Sequence, residues 1–305
     1  SRLIALKVLP GAFALDRRAI ERFHREAQAV SRIEHPSIVP VYRIGCDHWI
    51  HFMAMRRIEA PSLRELLRSG IPLPVHDVVQ AFAEVAEALG TAHAAGVVHR
   101  DVKPSNLLWS GKGTLWLGDF GVACLEGAAS LTLTGEAIGT PQYMAPEQAR
   151  GEEPGPQGDI YSLGITLYES LTGRHPFEGG TLEAVLRAVA RDEPPDPRKF
   201  NGEVSAELAA VLLKAIDRDP GRRYASAPEF AQDLRAVAAG ELPRAGRLTW
   251  GKRIVRRIRR WPERAGYASA SFASIFAILA TFLVSLVANR MACFLRHERL
   301  LGGPL

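Results

Sequence analysis

Cysteine is nearly absent from this sequence. Cys46, Cys124 and Cys293 stand far apart in 305 residues, with no CxxC and no paired histidines. That spacing suggests neither a disulfide framework nor a zinc site, and a reducing compartment is the default. Internal repeats and low-complexity tracts are missing too, so no repeat array is expected. The body also lacks a net positive charge. Of 38 Lys+Arg and 33 Asp+Glu, residues 241–305 hold 12 and 3, leaving 26 basic against 30 acidic residues for 1–240. A slightly acidic body without a basic, aromatic-interleaved stripe offers no footprint for a phosphate backbone, so no nucleic-acid partner is expected.

What is present is a globular composition, 47% hydrophobic and 23% charged, followed by a different kind of tail. Ala265 to Asn289 contains no charged residue over 25 positions. At 1.5 Å per residue this is ample for a hydrocarbon core of about 30 Å, and it predicts a transmembrane helix over 265–289; a buried core helix is the alternative. Lys252, Arg253, Arg256, Arg257, Arg259, Arg260 and Arg264 precede it, and Arg290, Arg296 and Arg299 follow in the short tail 290–305. The positive-inside bias then places the body in the cytoplasm, as a single-pass protein of the inner membrane. The basic juxtamembrane linker, 241–264, has Trp250, Ile254, Ile258 and Trp261 at helical spacing, suited to lying on anionic lipid through 252–264; a solvated linker fits the same residues.

In the body, Ile4 to Leu9 alternates like a half-buried strand with one cation, Lys7. Ile20, Phe23, Ala27, Val30 and Ile33 then mark a helix with one buried stripe and Glu26 beside it, ended by His35-Pro36. Short apolar segments follow, giving a small β-rich lobe with one helix over 1–58. From Pro74 onward helical patterns dominate, the first marked by Val75, Val78, Val79, Phe82, Val85 and Leu89, and residues 59–240 form a large α lobe. The class is α+β.

The chemistry concentrates in two loops. VVHRDVKPSNLLW delivers Asp101, Lys103 and Asn106 into one loop that an apolar strand end is expected to feed. A carboxylate, an ammonium and an amide within six positions suit proton acceptance, charge neutralisation and metal holding. LGDFGVA frees the backbone around Asp119 to aim one carboxylate at a hard cation, with Phe120 packed beneath.

IALK (4–7), HRDVKPSN (99–106), DFG (119–121) and APE (145–147), in that order and spacing, resemble the signature set of the eukaryotic-like protein kinases, over Ile4 to about Leu234. The resemblance implies a two-lobed kinase fold and a Ser/Thr protein kinase of the bacterial membrane-anchored type, using ATP with Mg²⁺ (or Mn²⁺). Lys7 would hold the α and β phosphates and pair with Glu26. Ala5 and Leu108 would sandwich the adenine, with Met55 as gatekeeper and Arg57 in the hinge. Asp101 would accept the substrate proton, Lys103 steady the γ-phosphate, and Asn106 and Asp119 ligate metal. Thr140 would contact Asp101 and Lys103 and help admit a Ser or Thr hydroxyl.

Further roles follow from the same resemblance. Ser130, Thr132 and Thr134 lie between DFG and APE as candidate phosphosites, and Arg100 is placed to pair with a phosphate there; unmodified hydroxyls are the plain alternative. His99, Phe120, Glu147, Asp159 and Arg223 would be structural: Asp159 bonded to the catalytic-loop backbone, Glu147 paired with Arg223. Protein hydroxyls and the chain itself are the expected substrates, and a homodimer is an open possibility. A scaffold that binds nucleotide without transferring phosphate is the runner-up reading. The family places a Gly-rich loop before the lysine strand; no such loop precedes Lys7, so the expectation is a chain truncated at its start, with weak nucleotide binding and exposed apolar surface on its small lobe.

Overall fold

The computed structural model describes residues 3–111, 113–120, 141–177, 179 and 181–245. The chain opens with β1 (Ile4–Val8), then α1 (Arg17–Val30), β2 (Val41–Asp47) and β3 (Ile50–Arg56). These strands form one antiparallel sheet in the order β1-β3-β2, with Lys7 opposite Met53 and Ala5 opposite Met55. The alternation in β1 faces the opposite way from the usual apolar-inward pattern. Ile4, Leu6 and Val8 point outward, 46%, 60% and 47% exposed, while Ala5 and Lys7 take the inner face.

Helix α1 starts where Asp16 caps it, its carboxylate accepting from the Arg18 N–H at 2.9 Å, a cap that satisfies one of the orphan donors of the first turn. Its buried stripe is Ala19, Phe23, Ala27 and Val30; the first three pack with Leu9 and Met53 into a small core of its own, while Val30 joins the larger core. Ile20 is only partly buried. The helix stops at Val30, earlier than His35-Pro36, and Ile33 reaches the core from the loop beyond.

The larger body begins with α2 (Leu63–Ser69), held by a capping box in which Ser62 and Glu65 satisfy each other's backbone N–H groups. After α3 (Val75–Ala94) the chain runs through residues 97–103 without regular structure, so the catalytic loop is not fed by a strand. A short hairpin follows, β4 (Leu107–Trp109) with β5 (Leu115–Leu117). It is tied to the first segment by the Val39 N–H on the Leu117 carbonyl (3.0 Å) and the Leu117 N–H on the Ser37 carbonyl (2.7 Å).

The remaining helices are α4 (Pro146–Ala149), α5 (Pro156–Thr172), α6 (Leu182–Arg191), α7 (Ala206–Ala215) and α8 (Ala227–Ala238). Helix α5 is buried on every face from Gly158 to Leu167, and it lies against α3, α7 and α8. The core joins Phe82, Leu89, Tyr161, Tyr168 and Phe230 with the hairpin residues Leu107 and Leu117. Each fully buried side chain of this size contributes about 1.5–3 kcal/mol before chain entropy is set against it. Among the described residues no helix is long and apolar enough to cross a membrane; the span expected over 265–289 and the basic residues 252–264 lie outside them.

Candidate active site

The site forms where the loop after α3 meets the end of β5. His99 is fully buried and acts as its internal brace: its Nε2–H donates to the Gly118 carbonyl (2.9 Å), and its Nδ1 accepts from the Asp101 N–H (3.3 Å). Its ring lies 4.5 Å from that of Phe120, centroid to centroid, so the two loops pack through one aromatic contact.

Asp159, on the first turn of α5, holds the loop from below. Its Oδ1 accepts from the Arg100 N–H at 2.7 Å and its Oδ2 from the His99 N–H at 2.8 Å. His93, from the last turn of α3, adds its Nε2 to Oδ2 at 2.8 Å. The carboxylate is 1% exposed, and three donors on a buried carboxylate offset the desolvation it suffers. Arg100 has φ +67° and Asp119 φ +59°, both in the left-handed region that non-glycine residues avoid. Such backbone persists where surrounding contacts over-determine it, as these hydrogen bonds do around Arg100.

Above that base the side chains converge. Asp101 Oδ2 takes both the Lys103 ammonium, at 2.7 Å, and the Asn106 Nδ2–H, at 3.0 Å; the same amide donates to the Asp101 carbonyl at 2.8 Å. Both contacts on Oδ2 make Oδ1 the candidate acceptor for an incoming hydroxyl. The Asn106 amide is thereby oriented, and its Oδ1, which accepts from the Ser105 hydroxyl at 3.4 Å, is a hard oxygen donor.

Lys7 departs from the expected pairing. Its Nζ lies 2.9 Å from Asp119 Oδ1, and no ion pair joins it to Glu26. Glu26 Oε2 is buried without a hydrogen-bond partner. Burial pushes the Glu26 carboxyl up from its ordinary value, against the pull of Arg100 first and then Arg22, Lys7 and Arg25. The sequence spacing of Lys7 and Glu26 held no information about this choice, because Asp119 arrives from the far lobe.

The other expected contacts lie as follows. Ala5 and Met55 are cross-strand neighbours, Leu108 sits in β4, and Arg57 stands 3.8 Å from Glu59 in the irregular segment after β3. Glu147 and Arg223 form a bidentate pair, 2.7 Å at both contacts, with the Arg223 side chain fully buried. Arg100 Nη2 lies 2.6 Å from Glu153. Thr140, Ser130, Thr132 and Thr134 lie outside the described residues. Three participants had no signal in the sequence reading: His93, a polar residue late in an apolar helix; Glu153; and Gln148, whose Nε2–H donates to the Arg100 carbonyl at 3.3 Å.

The donors fit magnesium and a nucleotide. Asn106 and Asp119 offer hard oxygens, and Asp119 already faces a positive charge. Among the described residues no group of three or more His, Cys, Asp or Glu could hold a metal alone.

A protein kinase fold is what this arrangement defines. A model of the protein kinase domain matches residues 1–234, and the chain belongs to that family. It is 40% identical over 246 residues to a probable serine/threonine-protein kinase of Streptomyces coelicolor, covering 79% of this chain and 37% of that protein. It is 35% identical over 236 residues to serine/threonine-protein kinase PrkC of Bacillus subtilis, covering 77% and 36%. The chain therefore spans under two fifths of the length of these two relatives. Among solved structures, the kinase domain of Mycobacterium tuberculosis PknI aligns with a TM-score of 0.61 at 29% identity, over 78% of this chain and 85% of that one.

Proposed function

We propose that the chain is the catalytic part of a bacterial Ser/Thr protein kinase, transferring the γ-phosphoryl group of ATP to protein hydroxyls, its own among them. The observation that carries this is the Asp101–Lys103–Asn106 cluster braced by His99 and Asp159 and facing Asp119. Bound Mg²⁺ would neutralise charge on the phosphates, and Asn106 and Asp119 are the residues to hold it. Asp101 orients the attacking hydroxyl and takes its proton at Oδ1. Lys103 sets a fixed positive charge beside that carboxylate, where negative charge gathers during transfer. Lys7 leaves Asp119 for the nucleotide phosphates, which returns it to reach of Glu26.

The sequence supports two further parts of this reading. The uncharged stretch 265–289, with its flanking arginines, anchors the chain in the inner membrane and keeps the kinase body cytoplasmic. Phosphates on Thr132 or Thr134 would pair with Arg100 and order the segment before APE, displacing Glu153 from that guanidinium. The test is Mg²⁺-dependent incorporation of the γ-phosphate of ATP into the chain and a Ser/Thr protein substrate. Asp101→Asn should lower it by about 10²–10⁴-fold. Equal incorporation by both forms would overturn the reading.

A further inference from the structure

Three side chains from three elements meet at the open edge of the small sheet. Cys46 on β2 and His51 on β3 are register partners, and β2 lies at one edge of the sheet. Cys46 Sγ lies 3.8 Å from His51 Nε2, and His51 Nδ1 lies 2.8 Å from His24 Nε2 on α1. The two imidazoles meet edge to face, with centroids 5.0 Å apart. The thiol is exposed, so a reagent in solution can reach it.

One proton arrangement runs continuously from Cys46 to His24. With the thiol donating to His51 Nε2, His51 Nδ1–H donates to His24 Nε2, and His24 keeps its own proton on Nδ1. Burial, then the neighbouring His51, holds His24 below the ordinary imidazole range, which preserves it as a neutral acceptor. This is the order of a nucleophile, a base and a group that orients the base. Nothing in phosphoryl transfer uses it. It lies on the face of the sheet covered by α1, two residues from Glu26 along that helix.

We propose that Cys46 is a thiol-modification site whose proton passes to His51, with His24 holding the resulting imidazolium, and whose reagent is a low-molecular-weight disulfide. The Cys46 thiolate attacks one sulfur of the disulfide; a new S–S bond forms, the old one breaks, and the departing thiolate takes the proton from His51. The products are a mixed disulfide on Cys46 and one free thiol. Modification also removes the S–H donor from the relay and sets a polar group against α1.

The inference is independent of the kinase reading, since its readout is thiol chemistry. The test uses the 305-residue chain carrying Cys124→Ser and Cys293→Ser, which leaves Cys46 as its one thiol. Oxidised glutathione is the probe at pH 7, intact mass reports the mixed disulfide, and circular dichroism reports the fold. Cys46 should react faster than the same cysteine in an unstructured peptide of residues 41–52, and His51→Ala should slow it by about tenfold. His24→Ala should also slow it, and His24→Gln, which keeps an acceptor, should restore part of the rate. If His51→Ala does not fold, His51→Gln should show the same slowing. A folded His51 variant reacting as fast as its parent, or a parent no faster than the peptide, overturns the proposal.

Discussion

Lys7 Nζ sits 2.9 Å from Asp119 Oδ1, while Glu26, the partner its sequence position implies, keeps a buried carboxylate oxygen with no hydrogen bond. One ammonium faces two carboxylates, and it has settled on the one that arrives from the other lobe. The exposed share of the Lys7–Asp119 pair, 25% and 48%, keeps its strength modest. Nucleotide phosphates can therefore compete for Lys7 at small cost.

Glu26 should make stability fall as pH rises. Its folded carboxyl titrates above the unfolded one, chiefly through burial. Below the ordinary carboxylate value both states are protonated and the penalty is absent; it grows as pH climbs through the raised folded value and is complete above it. Glu26→Gln should therefore have the higher Tm at pH 8, with the margin closing by pH 4. Thermal melts across that range check this, and an unchanged margin would show that Glu26 is not strained.

The Glu147–Arg223 pair should fail badly by halves. Arg223 also donates to the carbonyls of Asp217 and Gln157, at 2.7 and 2.8 Å. Replacing either partner by alanine leaves the other charge buried and uncompensated, a cost of about 3–5 kcal/mol. The double variant should lose clearly less than the sum of the two. Urea unfolding of all four proteins measures the coupling.

Asp159→Asn should loosen the catalytic loop more than any single donor change. An amide has one acceptor oxygen for three donors, so at least one of the His99 N–H, Arg100 N–H and His93 Nε2–H bonds is lost, at about 1–3 kcal/mol. His93→Phe removes one donor and should cost less. Chemical denaturation orders the two variants, and a larger loss for His93→Phe would contradict the arrangement.

Gly90→Ala should destabilise, although alanine is the better helix former by about 1 kcal/mol. A Cβ there would stand 2.5 Å from Pro228 Cγ, in the α3–α8 contact. A proline ring in the first turn of α8 cannot swing away, so overpacking of about 1–3 kcal/mol exceeds the helix gain. Tm should fall, and a rise would mean that α3 and α8 separate easily.

Much of the architecture could be read locally. Phe23, Ala27 and Val30 on α1, and Val78, Phe82 and Leu89 on α3, declare buried stripes by spacing alone, and the Glu147–Arg223 and Asp159 contacts lay where the family resemblance put them. What stayed hidden depends on chain segments far apart. The Lys7–Asp119 pair spans 112 positions and His93–Asp159 spans 66, and no periodicity reports on either. Residues 97–103 read as a strand end because Val97 and Val98 are β-branched, yet among the described residues no strand pairs with them. The seven residues of α2 give too few turns for periodicity to speak, though Ser62 and Glu65 spell its capping box.

The loop bearing Asp101 hangs by two amides from a carboxylate on α5, and α5 is wrapped by α3, α7 and α8. The loop accordingly has no melting transition of its own. Amide hydrogens of His99 and Arg100 should exchange with solvent only when the whole large lobe opens, and heat should abolish catalytic geometry and helical structure together.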